Sequence, residues 1–161
     1  MIFKKKDNFD LYNRLLNLSR NIFFYRDLKF EDSYETRIYL MFIHYSIILN
    51  IQKKRKCDPD QENYNNLFLC IENNLRELGF GDISVNKKMK ELNKIFYDIL
   101  LKIELNNENY KLNKKLFIKY FYQIENEEKW VKCELYFLNF YQFCFDLSPK
   151  NMLKDLKNFK F

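Results

Sequence analysis

Asp32-Ser33-Tyr34-Glu35-Thr36-Arg37-Ile38-Tyr39-Leu40-Met41-Phe42-Ile43-His44-Tyr45-Ser46-Ile47-Ile48-Leu49-Asn50-Ile51-Gln52 is the stretch that decides the fold class. It opens on Asp32 or Ser33, side chains that cap a helix, and Glu35 follows near the positive end of the helix dipole. From Ile38 onward apolar residues face nearly every side. A helix of that kind belongs at the centre of a helical domain, packed from several directions. The nearly apolar part, Ile38 to Ile51, is too short to span a bilayer and contains His44 and Asn50.

Helical periodicity continues on both sides of this run. Before it, a short helix is expected from Phe9 to Ser19, with Leu11, Leu15 and Leu18 on one stripe. An aromatic connector, Ile22 to Leu28, follows. After it comes a basic end, Lys53 to Lys56, where cations suit the negative end of a helix dipole. Solvated lysines and a contact with RNA or lipid headgroups are both open readings of that end. The loop Cys57-Asp58-Pro59-Asp60 turns the chain. A third helix is expected from Gln61 to Leu78, with Tyr64, Leu67, Phe68, Ile71, Leu75 and Leu78 at helical steps. Gly79 supplies its left-handed stop. Ser84 can cap a fourth helix whose stripe is Val85, Met89, Leu92, Phe96, Ile99 and Ile103. Further helices are expected at Leu112 to Ile124, at Glu127 to Phe145, and after Pro149.

Composition supports the same class. Of 161 residues, 47% are hydrophobic and 19% aromatic, ample for one core, while two glycines and two prolines leave hairpin turns almost without signals. The expected fold is all-α, a single compact domain over residues 1–161 with about six to seven helices. The formal charge of +6 is spread along the chain and favours acidic surfaces without marking a nucleic-acid site. DNA is not an expected partner.

The four cysteines, Cys57, Cys70, Cys133 and Cys144, lack C-x-x-C spacing, and there is one histidine, so no metal site is expected. The chain has no GK[ST] phosphate loop and no G-x-S-x-G elbow; no catalytic residue and no cofactor are expected, and the protein is read as a non-enzyme. Met1-Ile2-Phe3-Lys4-Lys5-Lys6 is not followed by an apolar stretch, and Asp7 and Asp10 are unlike a mitochondrial presequence. The expectation is a cytoplasmic protein without signal peptide or transmembrane helix.

Both glycines fall in Leu75-Arg76-Glu77-Leu78-Gly79-Phe80-Gly81-Asp82-Ile83-Ser84-Val85-Asn86-Lys87-Lys88. Their proximity implies backbone conformations that other residues adopt only at a cost. Lys87, Lys88 and Lys90 stand at the start of the next helix, against its dipole. Free N–H groups and cations there are the ingredients of an anion-binding spot, unless Asp82 neutralises them.

This segment resembles the signature of the ubiquinol–cytochrome c chaperone family, L-R-E-x-G-x-G-D-x-S-V-x-K. Three more pieces occur in the family's order. Phe24-Tyr25-Arg26-Asp27-Leu28 resembles its F-Y-R-x-L element. Thr36-Arg37 with His44 resembles its helix with an Arg preceding an L-H pair, with Ile43 in place of Leu. Phe96-Tyr97 resembles its F-Y-G-R element, with Asp98-Ile99 in place of Gly-Arg. The family-like core covers about residues 11–103, and aromatic helices occupy 112–160.

The resemblance implies an assembly chaperone that binds nascent cytochrome b during biogenesis of the bc1 complex. It also implies contact with the ribosome near the tunnel exit, a small partner protein, and a peripheral position at the inner membrane. A basic protein bound to RNA or the ribosome is an alternative; a helical scaffold for another soluble protein is a second. His44, set among apolar residues, is expected to be a hydrogen-bonded core histidine or part of a polar network with Arg26, Asp27, Arg37 and Asp82. Candidate partner-binding or network residues are Tyr25, Arg26, Asp27, Arg37, His44, Arg76, Glu77, Gly79, Gly81, Asp82, Lys87 and Lys88. On the aromatic helix Trp130, Phe137, Phe140 and Tyr141 join them, where burial all round and an aromatic side facing a partner are both open.

Overall fold

Ser33 opens the central helix by accepting a hydrogen bond from the Thr36 amide through its side chain. In the computed structural model, which describes residues 10–106 and 111–161, this helix spans Tyr34–Lys54. Two short helices precede it, α1 (Asp10–Ser19) and α2 (Ile22–Arg26); the central helix is α3. Then come α4 (Gln61–Glu77), α5 (Asp82–Lys102), a hairpin of β1 (Glu104–Asn106) and β2 (Lys111–Leu112), and α6 (Lys114–Tyr120). A 3-10 turn at Tyr122–Glu125 leads to α7 (Glu127–Asp146) and α8 (Met152–Asp155). Helices make up most of the described residues, so the all-α expectation holds.

Helix α3 packs against α1, α5 and α7, and Leu40 to Ile48 are buried without interruption. A helix apolar on every side can be satisfied only by neighbours on every side. One continuous core runs from Leu11 through Phe42, Ile71, Phe96 and Phe137 to Leu156. The expected stripes of α4 and α5 face it, except that Leu78 is 56% exposed, one residue past the end of α4.

Helix ends explain two loops. Past α4 the Phe80 amide donates to the Leu75 carbonyl and the Gly79 amide to that of Arg76, a Schellman stop with Gly79 at φ +95°. Past α3 the Cys57 amide donates to Gln52 and the Lys56 amide to Lys53, the same stop built on Lys56 at φ +55°. Lys29, at φ +59°, turns the chain after α2.

The structure corrects several sequence expectations. Gly81 has φ −74°, open to any residue, so only Gly79 needs its lack of a side chain. Helix α5 starts at Asp82, with Gly81 as N-cap and no capping side chain, rather than after Ser84. Leu112 pairs in the hairpin opposite Glu104, and Asn113 caps α6 instead. The connector at Ile22 becomes a helical turn because the Asn21 side chain accepts from the Phe23 amide. Phe9 lies outside the described residues.

Candidate functional site

His44 sits at the middle of α3 with no accessible surface. Its Nδ1 lies 2.6 Å from the Leu40 carbonyl and its Nε2 lies 2.8 Å from the Tyr136 hydroxyl. A carbonyl only accepts, so Nδ1 carries the proton and Nε2 accepts from Tyr136. Burial pulls the imidazole down to about 4, opposed in part by the Leu40 carbonyl. The ring is a neutral clasp between α3 and α7.

The expected polar network around it does not form. Arg26 pairs with its neighbour Asp27 at 3.1 Å, Arg37 pairs with Asp32 at 2.9 Å, and Arg76 pairs with Asp82 and Glu72. Each guanidinium finds a carboxylate nearby in sequence at the surface, which avoids the cost of burying an ion pair. Tyr25 donates to the Ser19 carbonyl at 2.7 Å. On α7, Trp130, Phe137 and Phe140 are buried, and Tyr141 is half-buried beneath the Lys54 ammonium. Glu77, Gly79, Gly81 and Lys87 are exposed around the turn from α4 into α5, and Lys88 lies over the Phe80 ring at 4.7 Å.

The sequence reading missed a groove. The second half of α3, the loop Lys56 to Asp60, the first turn of α4 and the last turns of α5 enclose a cavity of about 750 Å³. Phe96 forms its floor, buried, with Phe42 at 5.2 Å and Tyr45 at 5.8 Å between ring centroids. Tyr64 closes one side, held by a 3.1 Å hydrogen bond from its hydroxyl to Asn93. Tyr97 and Leu101, one helical turn apart, form a lip that is 49% and 77% exposed. Lys53, Lys56, Asp58, Asp60 and Glu104 give the rim both signs of charge. Lys54 ties the hairpin to this rim through Glu104 at 3.3 Å.

Such a wall suits an apolar partner better than a reaction. Volumes of roughly 300–1,000 Å³ are usual for sites that swallow a few side chains or a small ligand. Cys57 stands at the rim, yet the histidine that would activate it is sealed behind α7. Among the described residues no cluster of three or more His, Cys, Asp or Glu could hold a metal ion.

The family model described as Ubiquinol-cytochrome C chaperone matches residues 26–111, more than half of the 161 residues. The chain belongs to the ubiquinol–cytochrome c chaperone family. Its general role is therefore that of a chaperone for the ubiquinol–cytochrome c reductase, the bc1 complex. No curated protein and no solved structure matches the chain. Among the described residues no helix is long and apolar enough to cross a membrane.

Every residue lining the groove falls inside the segment matched to the chaperone family. So do Arg37, His44 and the glycine loop, whereas Tyr25 and the aromatics of α7 fall outside it. Asp98, where the resemblance had Gly in place of Asp, has its own task. It accepts from Lys102 at 2.6 Å, from Tyr120 at 2.5 Å and from Lys119 at 2.9 Å. Lys102, then Tyr120, then Lys119 hold its carboxyl well below the usual range. The latch joins α5 to α6 just beyond the groove lip.

Proposed function

We propose that this chaperone binds newly made cytochrome b, holding an apolar stretch of it in the Tyr97–Leu101 groove until assembly of the bc1 complex proceeds. The observation that carries this reading is the groove itself, aromatic-floored, apolar-lipped and contained within the family-matched segment. A client with membrane-spanning helices has apolar side chains that water must not reach before insertion. Aromatic walls supply contact area at small cost in side-chain entropy. The mixed rim favours a protein over a polyanion, since a phosphate backbone would meet Asp58, Asp60 and Glu104.

The test is co-purification from the protein's own cells with a photo-crosslinking residue at position 101. Cytochrome b should appear in the crosslinked band, and Leu101→Asp should cut its recovery by about tenfold or more. Undiminished recovery with a folded Leu101→Asp protein would remove the groove from the mechanism. Normal bc1 levels in cells deleted for the gene would remove the client.

A further inference from the structure

One acid of the groove has half of its carboxylate unspent. Glu104 is held by the hairpin opposite Leu112, and its side chain is nine-tenths buried. Its Oε2 lies 3.3 Å from the Lys54 ammonium. Its Oε1 is buried and has no hydrogen-bond donor among the described residues, although Asn50, Lys53 and Gln61 line the same groove. A buried acceptor left without a donor costs more than an ordinary hydrogen bond returns. The other acids of the rim differ: Asp60 spends its side chain on the Glu62 and Asn63 amides at the start of α4, and Asp58 is exposed to water.

The terminal torsion of a glutamate is broad, so the carboxylate can turn one oxygen to a donor in the groove while the other stays on Lys54. The kind of donor follows from the charges. A cation would give up its hydration for a carboxylate that Lys54 already balances. A hydroxyl gives up less, and it travels with apolar neighbours that the Phe96 floor and the Tyr97–Leu101 lip accept.

We propose that Glu104 makes the groove selective for apolar client segments that carry a hydroxyl side chain, Ser or Thr, whose O–H donates to Oε1. The selectivity rests on the reading of the groove as the client site. It adds a rule to that reading: a purely aliphatic run binds worse than one interrupted by a single hydroxyl, because only the second satisfies the buried oxygen.

The experiment uses overlapping peptides that cover cytochrome b, each made as it stands and with every Ser changed to Ala and every Thr to Val. Binding to the full chain is read by fluorescence anisotropy. At least one peptide should bind, and its altered form should bind at least about tenfold more weakly. With Glu104→Leu the two forms should agree within about threefold, and Glu104→Ala serves if the leucine variant misfolds by circular dichroism. Glu104→Gln should keep the preference, because an amide still exchanges a hydrogen bond with a hydroxyl. Leu101→Asp should weaken both forms alike. Binding untouched by Leu101→Asp, or no binding peptide at all, would remove the groove reading and this selectivity with it. Binding that responds to Leu101→Asp but ignores the hydroxyl swap would keep the groove and overturn the role of Glu104, with water then serving Oε1. Binding that depends on Lys or Arg in the peptide and is lost with Glu104→Gln would overturn it as well, by marking a cation site.

Discussion

On α7 the rings of Tyr136 and Phe137 have no accessible surface, whereas on α5, 21 residues long against 20, Tyr97 is 49% and Leu101 77% exposed. What differs is the material across from each helix. Phe24 lies 4.7 Å from Tyr136, Phe117 lies 5.4 Å from Phe137, and Phe159 lies 5.2 Å from Phe140, so three separate segments close over α7. Beside the last turns of α5 the loop Lys56 to Asp60 and the first turn of α4 cover the cavity incompletely and leave Tyr97 and Leu101 exposed. Aromatic density alone therefore does not mark a docking face. The face is where apolar side chains outnumber the elements available to cover them.

The sharpest way to break this comparison is Phe137→Ala. A ring buried between α3, α2 and α6 should cost about 3–5 kcal/mol on removal, read by calorimetry or urea unfolding at neutral pH. A loss below about 1 kcal/mol would place α7 with the groove rather than with the core.

Acid tests the clasp between the two regions. Unfolded, a histidine titrates near 6.5; folded, His44 takes a proton only at about 4. The unfolded chain binds the proton first, so this contribution is whole above about pH 6.5 and drains away as pH falls toward 4. The loss should be on the order of 1 kcal/mol at pH 5.5 and roughly 3 kcal/mol near pH 4. Urea melts between pH 7 and 5 check it, and His44→Gln should flatten the slope. A wild-type slope unchanged in that variant would assign the acid sensitivity to carboxylates.

The smallest effect belongs to the groove. Tyr97→Ala and Leu101→Ala should each change stability by no more than about 0.5 kcal/mol, because partly exposed side chains give up little on truncation. A drop comparable to that of Phe137→Ala would show that the lip supports the fold.

Much of this arrangement was legible in the sequence because it depends on neighbours along the chain. The 3.6-residue spacing of Leu67, Ile71 and Leu75 and of Val85, Leu92, Phe96 and Ile99 gave the buried faces of α4 and α5. Gly79 gave the stop of α4, and the glycine loop gave the family. The hairpin at Glu104 escaped because its strands are three and two residues long, too short for an alternating pattern to show between the helices expected to end near Ile103 and to begin at Leu112. The proposed network failed because Arg26 and Asp27, adjacent in sequence, pair with each other before either can reach inward. The groove could not be read, since its wall is assembled from residues between Tyr45 and Glu104 that meet only after α3, α4 and α5 pack. One hint was present: Tyr97 and Leu101 are apolar positions off the buried stripe of α5.

Trp130 is the one tryptophan of the chain, 6% exposed, with its indole edge-on to Phe117 at 5.5 Å. That burial makes the protein carry its own optical gauge. Its emission should lie to the blue in the native state and move to the red when α6 parts from α7. Trp130 does not line the groove, so loading of the groove leaves the signal still, and a titration can be followed without mistaking unfolding for occupancy.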